Sequence, residues 1–192
     1  MSISKEDIFN KALLIIGGPS QTSYIDNPET DKSTQAVWLR IVYDSALDYC
    51  AIDLKSGIFR EYRALNQTSG SPESLDWSYV FDKPSESIHL VRITRADDRT
   101  KDYDFDDKGL YYFCDFENAI ADIVISPESS EMARWPVGFH GMVSARMAMQ
   151  VSAIWKPEMA AIAAASYDAA RTEAFEMQPH YQPKTPIWNE NT

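Results

Sequence analysis

The sequence predicts an α+β fold: a four-helix-type bundle built from both chain ends, with an antiparallel β-module of about six short strands inserted between them. Three observations predict it. Apolar residues recur at helical spacing at the front of the 192-residue chain, alternate every second residue through the middle, and return to helical spacing behind Trp135-Pro136. The corresponding division is a discontinuous helical domain over 1–54 and 134–178, the β-module over 55–133, and an extended Pro-rich tail over 179–192.

Ser4 and Asp7 make a capping-box pattern, after which Ile8, Ala12, Ile15 and Ile16 recur as a helical stripe until Gly17-Gly18-Pro19 ends it. Residues 20–32 are polar and turn-forming around Asp26-Asn27-Pro28, which reads as a loop. A second helix begins near Ser33. Its stripe is Leu39, Val42, Tyr43, Ala46, Leu47, Cys50 and Leu54, with Arg40, Asp44 and Asp48 opposite. Val37, Trp38 and Ile41 widen the apolar surface beyond what one neighbouring helix needs, which marks a second contact face.

Lys55-Ser56-Gly57 changes the regime. Strands are expected at 58–65, 77–81, 88–94, 101–105, 110–114 and 120–125, with a loop over 66–74 and a hairpin turn at Asp106-Asp107-Lys108-Gly109. Trp77, Tyr79 and Phe81 share one face of their strand while Ser78 and Val80 share the other. Trp135-Pro136 is expected to open the third helix, since proline at the first helical position sacrifices no hydrogen bond. Phe139, Val143, Met147, Val151 and Ile154 form its stripe, and Gly138, Gly141, Ser144, Ala145, Ala148 and Ser152 keep another side thin enough for close approach, within one subunit or between subunits. Lys156-Pro157 separates a fourth helix carrying Met159, Ile162, Ala163, Ser166, Ala170, Ala174 and Met177, with Tyr167 and Phe175 beside that stripe. Pro179 stops it.

A hydrophobic fraction of 44% with 12% aromatics belongs to a folded chain rather than a disordered one. A net charge of −11 disfavours a binder that gains affinity by tracking phosphates, because such proteins need clustered Lys and Arg to release counterions. Cys50 and Cys114 have no metal-ligand or redox spacing and are expected as packed free thiols. Residues 1–7 lack the basic start and apolar run of a secretory signal, and no apolar stretch approaches a membrane span, so synthesis is expected in a cytoplasm with no membrane partner.

Several pieces, in this order, resemble the tail tubular protein A family, the gatekeeper or head-to-tail adaptor of short-tailed bacteriophages. They are Ile8-Phe9-Asn10-Lys11-Ala12-Leu13 followed by Ile16-Gly17; the 36–47 helix with Tyr43-Asp44; Trp77-Ser78-Tyr79-Val80-Phe81-Asp82-Lys83-Pro84 followed by Ile88-His89-Leu90-Val91-Arg92-Ile93; Trp135-Pro136 with Phe139; and Tyr167-Asp168-Ala169-Ala170-Arg171-Thr172-Glu173-Ala174. The resemblance runs from Ile3 to about Met177. Where the family often has a tryptophan ahead of its first strand, this chain has Lys55-Ser56-Gly57, and the tail has no counterpart. The resemblance implies a virion protein made in the host cytoplasm. It implies a ring of twelve copies between the portal protein and the tail nozzle, with tail fibres as a further candidate partner, double-stranded DNA passing through and no enzymatic activity. An acidic lumen would suit such a conduit.

Chemical motifs are few. The densest carboxylate cluster is Asp97, Asp98, Asp102, Asp104, Asp106 and Asp107, and within it Asp102-x-Asp104-x-Asp106 superficially begins a calcium loop, but Asp107 stands where glycine is required and Phe113 where a bidentate glutamate is required. A strand with a solvated edge is the better account. His89, His140 and His180 have no ligand-spaced partner, so neither metal nor cofactor is expected. Glu128 and Glu131 form a conceivable acid/base pair for a cell-wall hydrolase, an alternative to the adaptor as a cytoplasmic protein-binding module is. No catalytic residue is assigned. The candidate interface residues are Val37, Trp38 and Ile41, Gly141, Ala145 and Ala148, and in the tail Tyr181, Ile187 and Trp188, which serve either as anchors for a partner or fold back onto their own helices.

Overall fold

The computed structural model describes residues 3–17, 24–54, 57–68, 76–136 and 138–177. Gly18-Pro19, Lys55-Ser56, most of the 66–74 loop and the tail with His180, Tyr181, Ile187 and Trp188 lie outside them.

The chain is α+β: helices at both ends and two small antiparallel sheets between them. Helix α1 (Lys5–Gly17) is capped as its sequence requires: the Asp7 carboxylate accepts hydrogen bonds from Ser4 N at 2.8 Å and Ser4 Oγ at 2.9 Å, while Asp7 N donates back to Ser4 Oγ at 3.2 Å. Helix α2 (Thr34–Leu54) starts after Ser33, whose Oγ accepts from Ala36 N at 3.3 Å. A 3-10 turn (Gly57–Phe59) leads into β1 (Arg60–Ala64), followed by β2 (Tyr79–Asp82), β3 (Ser87–Arg95), β4 (Asp106–Lys108), β5 (Tyr111–Cys114) and β6 (Ala119–Ile125). A second 3-10 turn (Ser129–Arg134) returns the chain to α3 (Phe139–Trp155) and, past Pro157, to α4 (Ala160–Glu176).

Four expectations are corrected. The first strand begins only at Arg60, because Phe59 turns into the helical core. Residues 101–105 make no strand; the strand is 106–108, and the hairpin turn moves to Gly109, whose φ of +58° puts the chain in the left-handed region. Trp135-Pro136 closes a 3-10 turn instead of opening α3, which is capped by Gly138 at φ +87°. Finally, Ile154 and Ile162 face solvent while Tyr167, expected beside the α4 stripe, is buried. The weak amphipathicity of these alanine-rich helices leaves their inward face to be chosen by neighbours.

Helix α3 packs against α1, α2 and α4, so the two chain ends form one apolar core. Its closest contact is with α4: a Cβ on Gly138 would stand 2.8 Å from Ala174 N, and one on Gly141 would stand 3.1 Å from Ala170 Cβ. The sheets are ordered β1-β6-β3 and β2-β5-β4. Central strand β6 divides its residues between two cores. Ala119, Ala121 and Ile123 meet Phe81, Ile93, Tyr112 and Cys114 between the sheets, whereas Val124 joins the helical core. Register shifts in β3 let Ile88 and Val91 reach the helices while Leu90 and Ile93 reach the other sheet. Phe59 and Trp135, at the two crossings between layers, both pack on Phe139, with ring centroids 4.6 and 5.1 Å away.

Candidate functional site

The expected apolar faces separate into one that is open and one that is spent. On α2, Ile41 is 65% exposed and Val37 38%, while Trp38 is half-buried against the helical core. On α3, Gly141, Ala145 and Ala148 are all buried. The thin side of α3 is consumed inside the subunit, by the α4 approach at Gly141 and by the helical core around Ala145 and Ala148, so in this conformation a neighbour cannot reach it. Only the α2 face remains available among the described candidates.

The carboxylate clusters are dispersed by pairing. Asp97 takes two hydrogen bonds from Arg95, and Asp98 accepts from Thr100 N and Oγ1, which holds its pKa below the ordinary range. Asp106 is paired with Lys108 and Asp107 with Lys83. Among the described residues, no group of three or more His, Cys, Asp or Glu is placed to hold a metal ion. Glu128 and Glu131 do share a small cleft of about 190 Å³ with Glu61 and Trp135, but Glu131 accepts from Arg134 at 2.8 Å and the Trp135 ring is buried, so no stacking platform is offered to a sugar.

Burial pushes the Cys50 thiol up to about 12 and raises Cys114 as well, which disfavours the thiolate at both. His140 lies against Trp135 with its Nε2 buried and unpartnered, and burial lowers its pKa despite an opposing hydrogen bond with the Met132 backbone. A polar knot ties α2 to α4: Tyr167 Oη and Arg171 Nε both donate to Asp53 Oδ2 at 2.7 Å.

Sequence reasoning missed a charged cluster that the fold buries among the described residues. Asp122 sits in the middle of β6 with 0% of its side chain exposed. Its Oδ1 accepts from Arg60 Nε at 3.0 Å, and its Oδ2 takes a short hydrogen bond from Arg60 Nη2 and another from Arg92 Nε at 3.3 Å. Register explains the convergence: Tyr62 on β1 and Arg92 on β3 are the direct cross-strand partners of Asp122, hence on its face of the sheet. Hydrogen bonding to Asp122 raises the Arg60 pKa, and a hydrogen bond with Tyr62 raises that of Arg92. The signal was legible in principle: a lone aspartate inside the run Ala119–Ile125 cannot stay ionised in a core without cationic partners.

The chain matches no protein-family model and no curated protein. Among the described residues, no helix is long and apolar enough to cross a membrane.

Proposed function

We propose that this chain is a structural, non-enzymatic head-to-tail adaptor subunit of a short-tailed phage. It acts as a four-helix-type layer, formed from both chain ends, that carries an inserted six-strand module. Twelve copies form a ring between portal and tail nozzle, and DNA passes through the ring during ejection. The subunit is made in the host cytoplasm and resides in the virion neck.

The observation that carries this reading is the α2 face. Val37 and Ile41 stand uncovered on a helix whose opposite side is packed against the core, and a soluble chain gains from covering such a stripe with another subunit. Repeated head-to-tail contacts that close by rotation generate rings. A net charge of −11 supports a conduit from which the phosphate backbone is repelled.

The test is electron microscopy of the chain mixed with portal rings encoded by the same genome. A twelvefold collar that Ile41→Asp abolishes, with the helical circular dichroism of the variant unchanged, supports the adaptor. No collar with the wild-type chain rejects it. The same face binding a soluble partner instead would favour the protein-binding module, and activity on purified peptidoglycan that Glu128→Gln removes would favour the hydrolase.

A further inference from the structure

The Asp122 cluster does more than tie strands together, because its two arginines line a cleft of about 620 Å³ together with Tyr62, Val91, Asp102, Tyr103 and Phe105. One buried carboxylate holds two guanidinium groups, which leaves the cluster with an excess of one positive charge. Arg60 Nη1 and Arg92 Nη2 are engaged by neither Asp122 nor Asp102. Both arginine side chains remain partly exposed, at 27% and 30%.

The excess charge is answered only loosely. Asp102 is 80% exposed and meets Arg92 Nη1 at 3.4 Å, near the outer limit of a hydrogen bond, from a stretch with no regular structure. A carboxylate already fits at this position, and it is held weakly enough to be replaced. The lining aromatics supply the second half of a recognition site: Tyr103 is braced on Phe116 with ring centroids 5.0 Å apart, Phe105 packs against the core between the sheets, and Tyr62 also lines the cleft. Such a cleft fits a ligand that places a carboxylate beside an aromatic ring.

We propose that the occupant is the segment Ile187-Trp188-Asn189-Glu190 of a second copy of this chain. Glu190 replaces Asp102 at Arg92, and Trp188 lies against Tyr62, Tyr103 and Phe105. The segment combines the two required groups two residues apart. Fifteen residues, 178–192, follow Met177, enough to reach about 50 Å when extended. Because the segment is long enough to reach a cleft on its own chain as well, seating in a second copy is read from the concentration dependence of the mass measured below. Pro179, Pro183 and Pro186 reduce the freedom a docked segment must surrender. The inference stands without the adaptor reading: a dimer or any other ring would use the same contact.

The test measures fluorescence anisotropy of a labelled 178–192 peptide on the full-length chain carrying Trp188→Ala and Glu190→Gln, which leaves the receptor's own segment unable to compete. Saturable binding is expected, weakened about tenfold by Glu190→Gln in the peptide, weakened similarly by Trp188→Ala in the peptide, and tightened severalfold by Asp102→Asn in the receptor. The last change is a gain that damaged folding cannot mimic. The wild-type chain is expected to show a concentration-dependent mass by sedimentation, which Trp188→Ala lowers. No binding, equal binding of the Glu190→Gln peptide, indifference to Asp102→Asn, or a wild-type chain that stays monomeric would each overturn the proposal. Competition by a DNA duplex would overturn it in favour of a phosphate ligand.

Discussion

At the junction of α3 with α4, Gly138 and Gly141 bring one helix against the backbone of another, and the contact depends on shape. On β6, Asp122 draws Arg60 and Arg92 across three strands, and the contact depends on charge kept away from water. Both sites join residues about thirty or more positions apart in sequence, and both leave little slack. The shape contact fails for lack of room when an atom is added, whereas the charge contact fails when a partner is removed, because what remains is a charge without its counter-ion.

The largest effect is expected from breaking the charge contact on one side only. Asp122→Ala leaves two guanidinium groups facing each other and is expected to cost about 3–5 kcal/mol, measured by urea denaturation. Replacing all three groups together, as Arg60→Met, Asp122→Leu and Arg92→Met, is expected to recover most of that loss; a triple variant as unstable as Asp122→Ala would show that the pairing itself, and not the orphaned charge, is what matters. The shape contact comes next. Gly138→Ala must place a Cβ 2.8 Å from Ala174 N at a φ of +87°, and is expected to cost about 2–4 kcal/mol, whereas Gly109→Ala, also at positive φ but with nothing within 4 Å, is expected to cost only about 1 kcal/mol. Similar losses at the two glycines would remove close approach as the cause.

The smallest effect is a pH dependence on the helical side. The pKa of His140 is lower in the folded chain than in the unfolded one, so its contribution is fully present above the ordinary histidine range, about 6.5, and is lost as pH falls through the folded value. Thermal melts from pH 7.5 down to 5 are expected to show a decline in Tm that His140→Gln lessens. An unchanged slope would mean that His140 accepts its proton without strain.

Much of this was legible in the residues. The capping box at Ser4 and Asp7, the start of α2 after Ser33, and its buried stripe from Leu39 to Leu54 follow from short-range chemistry, and the structure keeps them. Gly138 and Gly141 could be read as a thin side, but not as facing α4, because small residues permit a close approach without naming the partner. The cleft was not legible at all. Asp122 stands out as a charge in an apolar run, but Arg60, Arg92 and Asp122 are separated by about thirty residues or more, and nothing local names the two arginines as its partners.

By itself the sequence determined the order of helices, strands and helices, and which residues are apolar enough to need cover, since both depend on neighbours a few residues away. Only the tertiary structure decided that α3 is enclosed on three sides while α4, far richer in alanine, is buried at Ala163, Tyr167 and Ala174. It also decided that strand pairing brings two arginines onto one aspartate. Both outcomes depend on long-range register and packing, where the energy belongs to pairs of surfaces and no single segment carries it.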